Sequence, residues 1–481
     1  MIRRDFIKKT VIGTAGISLG SSCIRQKKED GLISEQKDWI PLNNSEPPYR
    51  KMIKTSFGNK KIKNANEKII VGLIGAGSWG THIITNAVEV EKNFIVKYIC
   101  DVDDTRGGFL IKELAKTQGV EPIRVRDMRT LFDDKEVDAV FIATPEHWHA
   151  LATIWACQAG KDVYIEKPIS HTVYEGQMMI EATMKYERIV QGGTHNRSAK
   201  EAITAKEYIE SGELGEIVAV NIKSMWPGPI PLNEKENSEA PDSIDWNMWL
   251  GPAPLVPYNV TRNKSWQYYW EYGGGQAMTN QVIHQLDMVR LILGNPGFPS
   301  SVYCIGGRYF SNDNRDIPDY QMTTFDFGKY IMTIEAGECT PYLNPSPAEV
   351  RFGDEFPKWN TNGTRVEILG TKRMMLVGRM GGGWQVFNEK GDVVAQHIAR
   401  YHLKEHLQNF FECVRNREQP NADIVESHIS SVLVHLANLS YRVGCKHLIF
   451  SPETETILNN SKAQEMTFYE YRKGFEMPKN I

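Results

Sequence analysis

Cysteine is scarce in this chain: 7 in 481 residues, widely scattered. No C-x-x-C pair and no His/Cys cluster occurs, so no metal site is expected. Cys100 and Cys157 lie in apolar segments and read as buried thiols; a disulfide among the others stays open. An excess of charge of either sign is also lacking. The 56 basic and 59 acidic residues leave a net charge of −3, which gives no electrostatic case for nucleic acid or an anionic membrane. What remains is ordinary globular composition, 41% hydrophobic and 24% charged, on a length that suits two domains behind a leader.

The leader reads as an address. Arg3-Arg4 is followed by a mildly apolar stretch from Val11 to Ser22, too short to span a bilayer. That pattern predicts a twin-arginine export signal over residues 1–30 and a periplasmic location. Leu19-Gly20-Ser21-Ser22-Cys23 loosely matches a lipoprotein cleavage site, so Cys23 is a candidate lipid anchor, although Leu stands four residues before the Cys rather than three. Residues 31–66 read as a polar linker. The twin-arginine route carries folded proteins, so a cofactor loaded before export would have to stay tightly bound.

The most informative segment is Leu73-Ile74-Gly75-Ala76-Gly77-Ser78-Trp79-Gly80. Its glycines have the G-x-G-x-x-G spacing. An apolar run, Ile69 to Ile74, precedes them as a buried strand, and Thr81 to Val90 follows as a helix. One glycine makes the turn, one lets a pyrophosphate approach the backbone, and one packs helix on strand. A second strand, Phe94 to Cys100, ends in Asp101, 21 residues after Gly80, where a dinucleotide fold places a carboxylate for ribose hydroxyls. Asp101 favours NAD; Arg106 nearby leaves NADP open.

Strands and helices then alternate. A helix is expected at 105–118, a strand at 137–143 ending in Thr144-Pro145, a helix at 149–158, and a strand at 163–165 ending in Glu166-Lys167-Pro168. Such alternation predicts a doubly wound parallel sheet over 67–195, with ligands beyond the strand C-termini. After about residue 195 the pattern changes. A helix at 199–211 and a strand at 217–224 precede an aromatic, Pro-rich insertion, 225–272. Strands at 302–306, 321–327, 330–336, 366–369 and 374–377 follow, then helices at 402–415 and 427–443. This predicts an α+β domain over 196–455 on an open, mostly antiparallel sheet, with 456–481 as a C-terminal tail. The fold class is thus α/β, a Rossmann sheet followed by an α+β domain.

The motifs resemble the glucose–fructose oxidoreductase / inositol dehydrogenase family (Gfo/Idh/MocA). The resemblance rests on Gly75 to Gly80, Thr144-Pro145-Glu146-His147-Trp148-His149, Glu166-Lys167-Pro168, Gly192 to Ser198, and Gly273-Gly274-Gly275 with His284-Gln285-Leu286-Asp287. It covers roughly 68–450. It implies hydride transfer at a sugar or polyol hydroxyl, a nicotinamide cofactor, and a homodimer or homotetramer formed through the second domain's sheet. Lys167 matches the active-site lysine and His284 the general acid/base. A lysine there can stabilise a developing alkoxide, and a histidine can take the hydroxyl proton. Cofactor contacts are expected from Gly75, Gly77, Ser78, Trp79, Gly80, Asp101, Arg106, Thr144, Pro145, His149, Glu166 and Lys167. Substrate contacts are expected from Asn196, Arg197, Asn280, Asp287 and Trp270, the last within an aromatic cluster with Trp266, Tyr268, Tyr269 and Tyr272 that could form a sugar platform. Asn280 departs from the family, in which an Asp often stands one helical turn before the histidine. Three functions follow: a dehydrogenase of a sugar or glycoside hydroxyl, an NAD-dependent glycoside hydrolase working by transient oxidation and elimination, and a non-catalytic sugar-binding protein.

Overall fold

The computed structural model describes residues 67–228, 231–479 and 481. The export signal, Cys23 and the linker lie outside the described residues. The expected α/β class is observed, with two sheets.

The first sheet has six parallel strands in the order β3-β2-β1-β4-β5-β6. They are β1 (Ile69–Ile74), β2 (Phe94–Cys100), β3 (Ile123–Val125), β4 (Ala139–Ile142), β5 (Asp162–Ile165) and β6 (Val190–Gly192). Their helices are α1 (Ser78–Val90), α2 (Gly108–Gln118), α3 (His149–Gln158) and α4 (Val173–Lys185). β1 and β4 are buried almost throughout, as a sheet covered on both faces requires. The order reverses between β1 and β4, so the ligand crevice lies beyond their C-terminal ends. Two helix starts differ from expectation. α1 begins at Ser78, not Thr81, because the glycine turn is complete at Gly77. α2 begins at Gly108, because residues 103–107 form a turn: Thr105 bonds the Asp103 carboxylate and Gly107 takes φ 78°.

The second sheet has ten strands in the order β14-β13-β12-β11-β7-β10-β9-β8-β15-β16. They are β7 (Ile217–Trp226), β8 (Ser301–Gly307), β9 (Tyr320–Asp326), β10 (Ile331–Glu338), β11 (Thr364–Gly370), β12 (Met374–Gly378), β13 (Trp384–Phe387), β14 (Val393–His397), β15 (Leu448–Ser451) and β16 (Thr456–Ile457). All pairs are antiparallel except β7 with β10. One face is covered by α5 (Lys200–Glu210) and α6 (Ile283–Ile292), with α7 (Leu403–Asn416) and α8 (Ile424–Arg442) following later in the chain.

Helix α7 follows the second sheet in sequence but packs on the first. Leu403, Leu407, Phe410 and Phe411 share a core with Ile69, Leu73, Phe94 and Phe141, and Phe141 meets Phe410 at 5.3 Å. Each such side chain contributes roughly 1.5–3 kcal/mol when fully buried. The last residues also dock: Tyr471 bonds Glu175, and Phe475 packs edge-on to Trp148 at 5.6 Å. In the aromatic insertion, Tyr268, Tyr269 and Tyr272 are buried with Trp249 and Leu250 in a small core of their own, which removes them from any sugar platform.

Candidate active site

The site is built at the C-terminal ends of β1, β4 and β5. Each glycine of the first turn has a separate reason. Gly75 sits at φ +92°, and a Cβ there would lie 2.6 Å from the Ala143 carbonyl oxygen. A Cβ on Gly80 would lie 2.0 Å from the Gly75 carbonyl oxygen, so helix and turn are in contact. A Cβ on Gly77 would meet only the tip of Arg106, at 3.0 Å, so its open side faces a cavity of about 210 Å³. No side chain caps the N-terminus of α1 at Gly77, leaving its first amides available. Asp101 accepts the Ala76 N–H at 2.8 Å and the Asp103 N–H at 2.9 Å, and lines that cavity with Arg106, Thr144 and Pro145. Burial raises the Asp101 pKa, while these backbone donors and Arg106 oppose the rise. An uncapped helix start, an open glycine and a carboxylate at the end of β2 fit a dinucleotide: amides for the pyrophosphate, Asp101 for the ribose.

A larger cavity of about 760 Å³ adjoins it, with Ser78, Trp79 and Thr144 lining both. Lys167 stands in its wall at the end of β5. Its ammonium donates to the Asn280 carbonyl oxygen at 3.0 Å and to the Asn280 side-chain oxygen. Burial lowers the Lys167 pKa, with the nearby Glu166 opposing and Arg379 reinforcing the effect. His284 also lines the cavity and is 3% exposed. Its Nδ1 is buried without a hydrogen-bond partner among the described residues. Burial, then Arg379, holds this imidazole well below the ordinary histidine range. The His195 ring lies beside it at 4.6 Å, tilted by 44°.

Asn280 is not one α-helical turn before His284. Residues Gln276–Val282 form a π-helix that runs into α6, and the Asn280 N–H reaches back five residues to the Gly275 carbonyl at 3.1 Å. The wider turn presents both oxygens of Asn280 to Lys167. Gly275, at φ +104°, starts this segment, and the Gly274 N–H donates to Glu146 at 2.8 Å.

Three expected substrate contacts are corrected. Arg197 gives a two-oxygen hydrogen bond to Asp287 at 2.9 Å and also bonds Asn295. Asp287 further accepts the Ser430 hydroxyl, at 2.6 Å. Both are buried away from the cavity, because the helices behind the sheet close on them. Asn196 donates to the Arg379 carbonyl at 2.9 Å, holding the loop rather than facing the cavity. Trp270 is a fourth correction: it lines a separate cavity, under the Arg442 guanidinium at 4.8 Å. Trp266 of the same cluster does line both site cavities. His149 lines the larger one, but its ring nitrogens face the Pro168 and Thr144 carbonyls at 2.6 and 2.9 Å, so it braces the two strand ends. Glu166 lines the cavity, and its Oε1 is buried without a hydrogen-bond partner among the described residues.

The sequence reading gave no role to Glu146, His195, Tyr401 or Arg379, all of which line the cavity. Glu146 had a signal, since it directly follows Thr144-Pro145 at a strand end. It accepts from Gly274 and from the Thr279 hydroxyl, at 3.0 Å, and burial pushes its pKa up. Arg379 follows β12, just before a turn of three glycines, and no local pattern marks it.

Comparisons with known proteins agree with this geometry. The family described as "Oxidoreductase family, NAD-binding Rossmann fold" matches residues 69–194, and the "GFO/IDH/MocA C-terminal domain" matches residues 202–376. YrbE of Bacillus subtilis strain 168, an uncharacterized oxidoreductase, is 26% identical over 306 residues, 64% of this chain and 72% of that protein. Myo-inositol 2-dehydrogenase of Thermotoga maritima is 31% identical over 163 residues, 34% of this chain and 47% of that enzyme, so under half of it is spanned. A levoglucosan dehydrogenase in complex with NADH and levoglucosan superimposes with a TM-score of 0.56 at 19% identity, covering 80% of this chain and 99% of that one. The two matched regions together take in more than half of the 481 residues, and the chain belongs to the Gfo/Idh/MocA oxidoreductases, with an NAD-binding Rossmann fold.

Proposed function

We propose that this protein oxidises one secondary hydroxyl of a sugar or glycoside to a ketone, with Lys167 and His284 as its acid–base pair. The observation that carries the reading is the placement of Lys167: an ammonium desolvated in a cavity, held by neutral oxygens of Asn280, beside an imidazole with a free nitrogen. The relatives named as myo-inositol 2-dehydrogenase and levoglucosan dehydrogenase support the substrate class. Gly77, the start of α1 and Asp101 would hold the nicotinamide cofactor, which would supply the hydride acceptor for the carbinol carbon. His284 Nε2 receives the hydroxyl proton, and the Lys167 ammonium hydrogen-bonds the oxygen as it gains charge. The products are a ketone, the reduced cofactor and a proton.

Asp101 beside Gly77 supports NAD over NADP, since a carboxylate there repels a 2′-phosphate; Arg106 is drawn toward Asp103, with Nε 3.4 Å from its carboxylate. We infer further that Arg3-Arg4 directs export to the periplasm with the cofactor already bound and retained, that Cys23 is a lipid anchor, and that copies associate through the second sheet.

The test is to denature purified full-length protein, identify the nucleotide released, and then incubate intact protein with α- and β-glycosides. Mass spectrometry of the products decides. An intact glycoside lacking two hydrogens, with NADH formed, supports the dehydrogenase. A cleaved sugar without net NADH replaces it with the redox-neutral hydrolase. Binding without any product replaces it with the sugar-binding reading.

A further inference from the structure

Arg379 is a buried arginine without a counter-charge among the described residues. Its side chain lines the large cavity and it is 5% exposed. One guanidinium nitrogen donates to the Gln281 side-chain oxygen at 2.7 Å. Nε is buried with no hydrogen-bond partner, and among the described residues no carboxylate pairs with the group. Burial acts most strongly against its charge, the neighbouring Tyr401 favours it, and another arginine, Arg351, repels it. Arg351 lines the same cavity, gives its Nε to the Ser346 carbonyl at 2.9 Å, and also has no acidic partner among the described residues. The other buried arginines behave differently. Arg197 and Arg290 are neutralised by Asp287 and Glu426, and Arg417 by Asp162.

Burying an unpaired guanidinium is costly, and a second one nearby adds to the cost. A fold keeps such a pair when something brought to the site supplies the missing charge. The free edge of a guanidinium is a fork of N–H groups matched to the two oxygens of a carboxylate. Arg379 also adjoins the reacting groups, since its charge is felt by both Lys167 and His284.

We propose that the sugar accepted here carries a carboxylate, as a uronic acid or its glycoside does, seated on the Arg379 guanidinium where it lines the cavity, against Arg351. This rests on the reading of the cavity as a sugar site. It makes Arg379 a specificity-determining residue. A bound carboxylate also removes the repulsion that Arg379 exerts on His284, so the imidazole becomes a stronger base only when the correct substrate is present.

The test uses cofactor-loaded full-length protein and compares methyl β-D-glucuronide with methyl β-D-glucoside, reading thermal stabilisation and NADH absorbance separately. The proposal expects at least tenfold tighter binding of the glucuronide and loss of that preference in Arg379→Met. It also expects ligand-free Arg379→Met to melt no lower than the wild type, because an unpaired buried charge has gone. Arg351→Gln, at a less buried position, should weaken the preference without abolishing it. Equal binding of the two glycosides, or a preference that survives Arg379→Met, overturns the proposal. So does stabilisation by glucose 6-phosphate but not by the glucuronide. Binding of the glucuronide without NADH would keep this proposal and sink the dehydrogenase. NADH from the neutral glucoside alone would do the reverse.

Discussion

Lys167 and Asn280 form the central pair of the site: one ammonium held by the backbone and side-chain oxygens of one residue on a π-helical turn. An amide holds the lysine in place without neutralising it. Burial therefore lowers the Lys167 pKa below the ordinary lysine value. The ammonium is the working form, so turnover should fall as pH rises through this lowered value, well short of pH 10. Asn280→Asp supplies a full counter-charge and favours the ammonium. It should move the alkaline limb of kcat upward by about 1 to 3 pH units. A pH–rate profile of the two proteins checks this; an unmoved limb would detach Asn280 from Lys167.

The acid limb should be displaced as well. His284 must be neutral to accept a proton, and its burial and the Arg379 charge hold its pKa well below 6.5. With neutral substrates, kcat/KM should therefore show no loss as pH falls through 6.5, once Lys167 is fully protonated. A fall centred on 6.5 would mean an exposed imidazole and contradict the site's geometry.

Much of this was legible in the sequence. The glycine turn, Asp101, Thr144 and Lys167 sit at ends of apolar strands or beside glycines, where short-range pattern and chemistry coincide; His284, inside a helix, was singled out by its glycine-rich lead-in and the family resemblance. The interior strands β1, β2, β7 and β9 were readable because their burial runs or alternates. β3, β6 and β14 were not: the first two are three residues long, and β14 is a largely exposed edge. Asn196, Arg197 and Asp287 were misread because sequence gives the residue type but not the face of the helix. Arg197 turns toward Glu426, Asp287 toward Ser430 and Asn196 toward the Arg379 carbonyl, contacts made across more than a hundred residues. Arg379 was invisible for the same reason.

That misreading gives a prediction. Arg197 sits with its charge buried against Asp287. Arg197→Ala leaves the buried Asp287 with only Arg290, 4.0 Å away, and the Ser430 hydroxyl, which should cost up to about 3–5 kcal/mol of stability. KM for the sugar, measured on the folded fraction at low temperature, should stay within about twofold, as expected of a site the substrate does not touch. A large rise in KM with an unchanged melting temperature would restore the substrate role.

The glycine turn separates folding from binding. A Cβ on Gly80 would run into the Gly75 carbonyl, so Gly80→Ala should lower the melting temperature. Gly77 has open space before it, so Gly77→Val should melt like the wild type but bind NAD at least tenfold more weakly. Titration of cofactor into nucleotide-free protein, alongside melting curves, checks the contrast. Equal effects of both changes on stability would mean that Gly77 serves the fold and not the cofactor.

The most direct test of the account is the turnover of Lys167→Met, assayed by NADH formation with bound cofactor confirmed by mass spectrometry of the released nucleotide. The account predicts unchanged cofactor content and a kcat lower by about 10²–10⁴-fold, since only the hydrogen bond to the reacting oxygen is lost. A variant that retains full turnover would contradict the assignment of Lys167 and, with it, the proposed chemistry of the site.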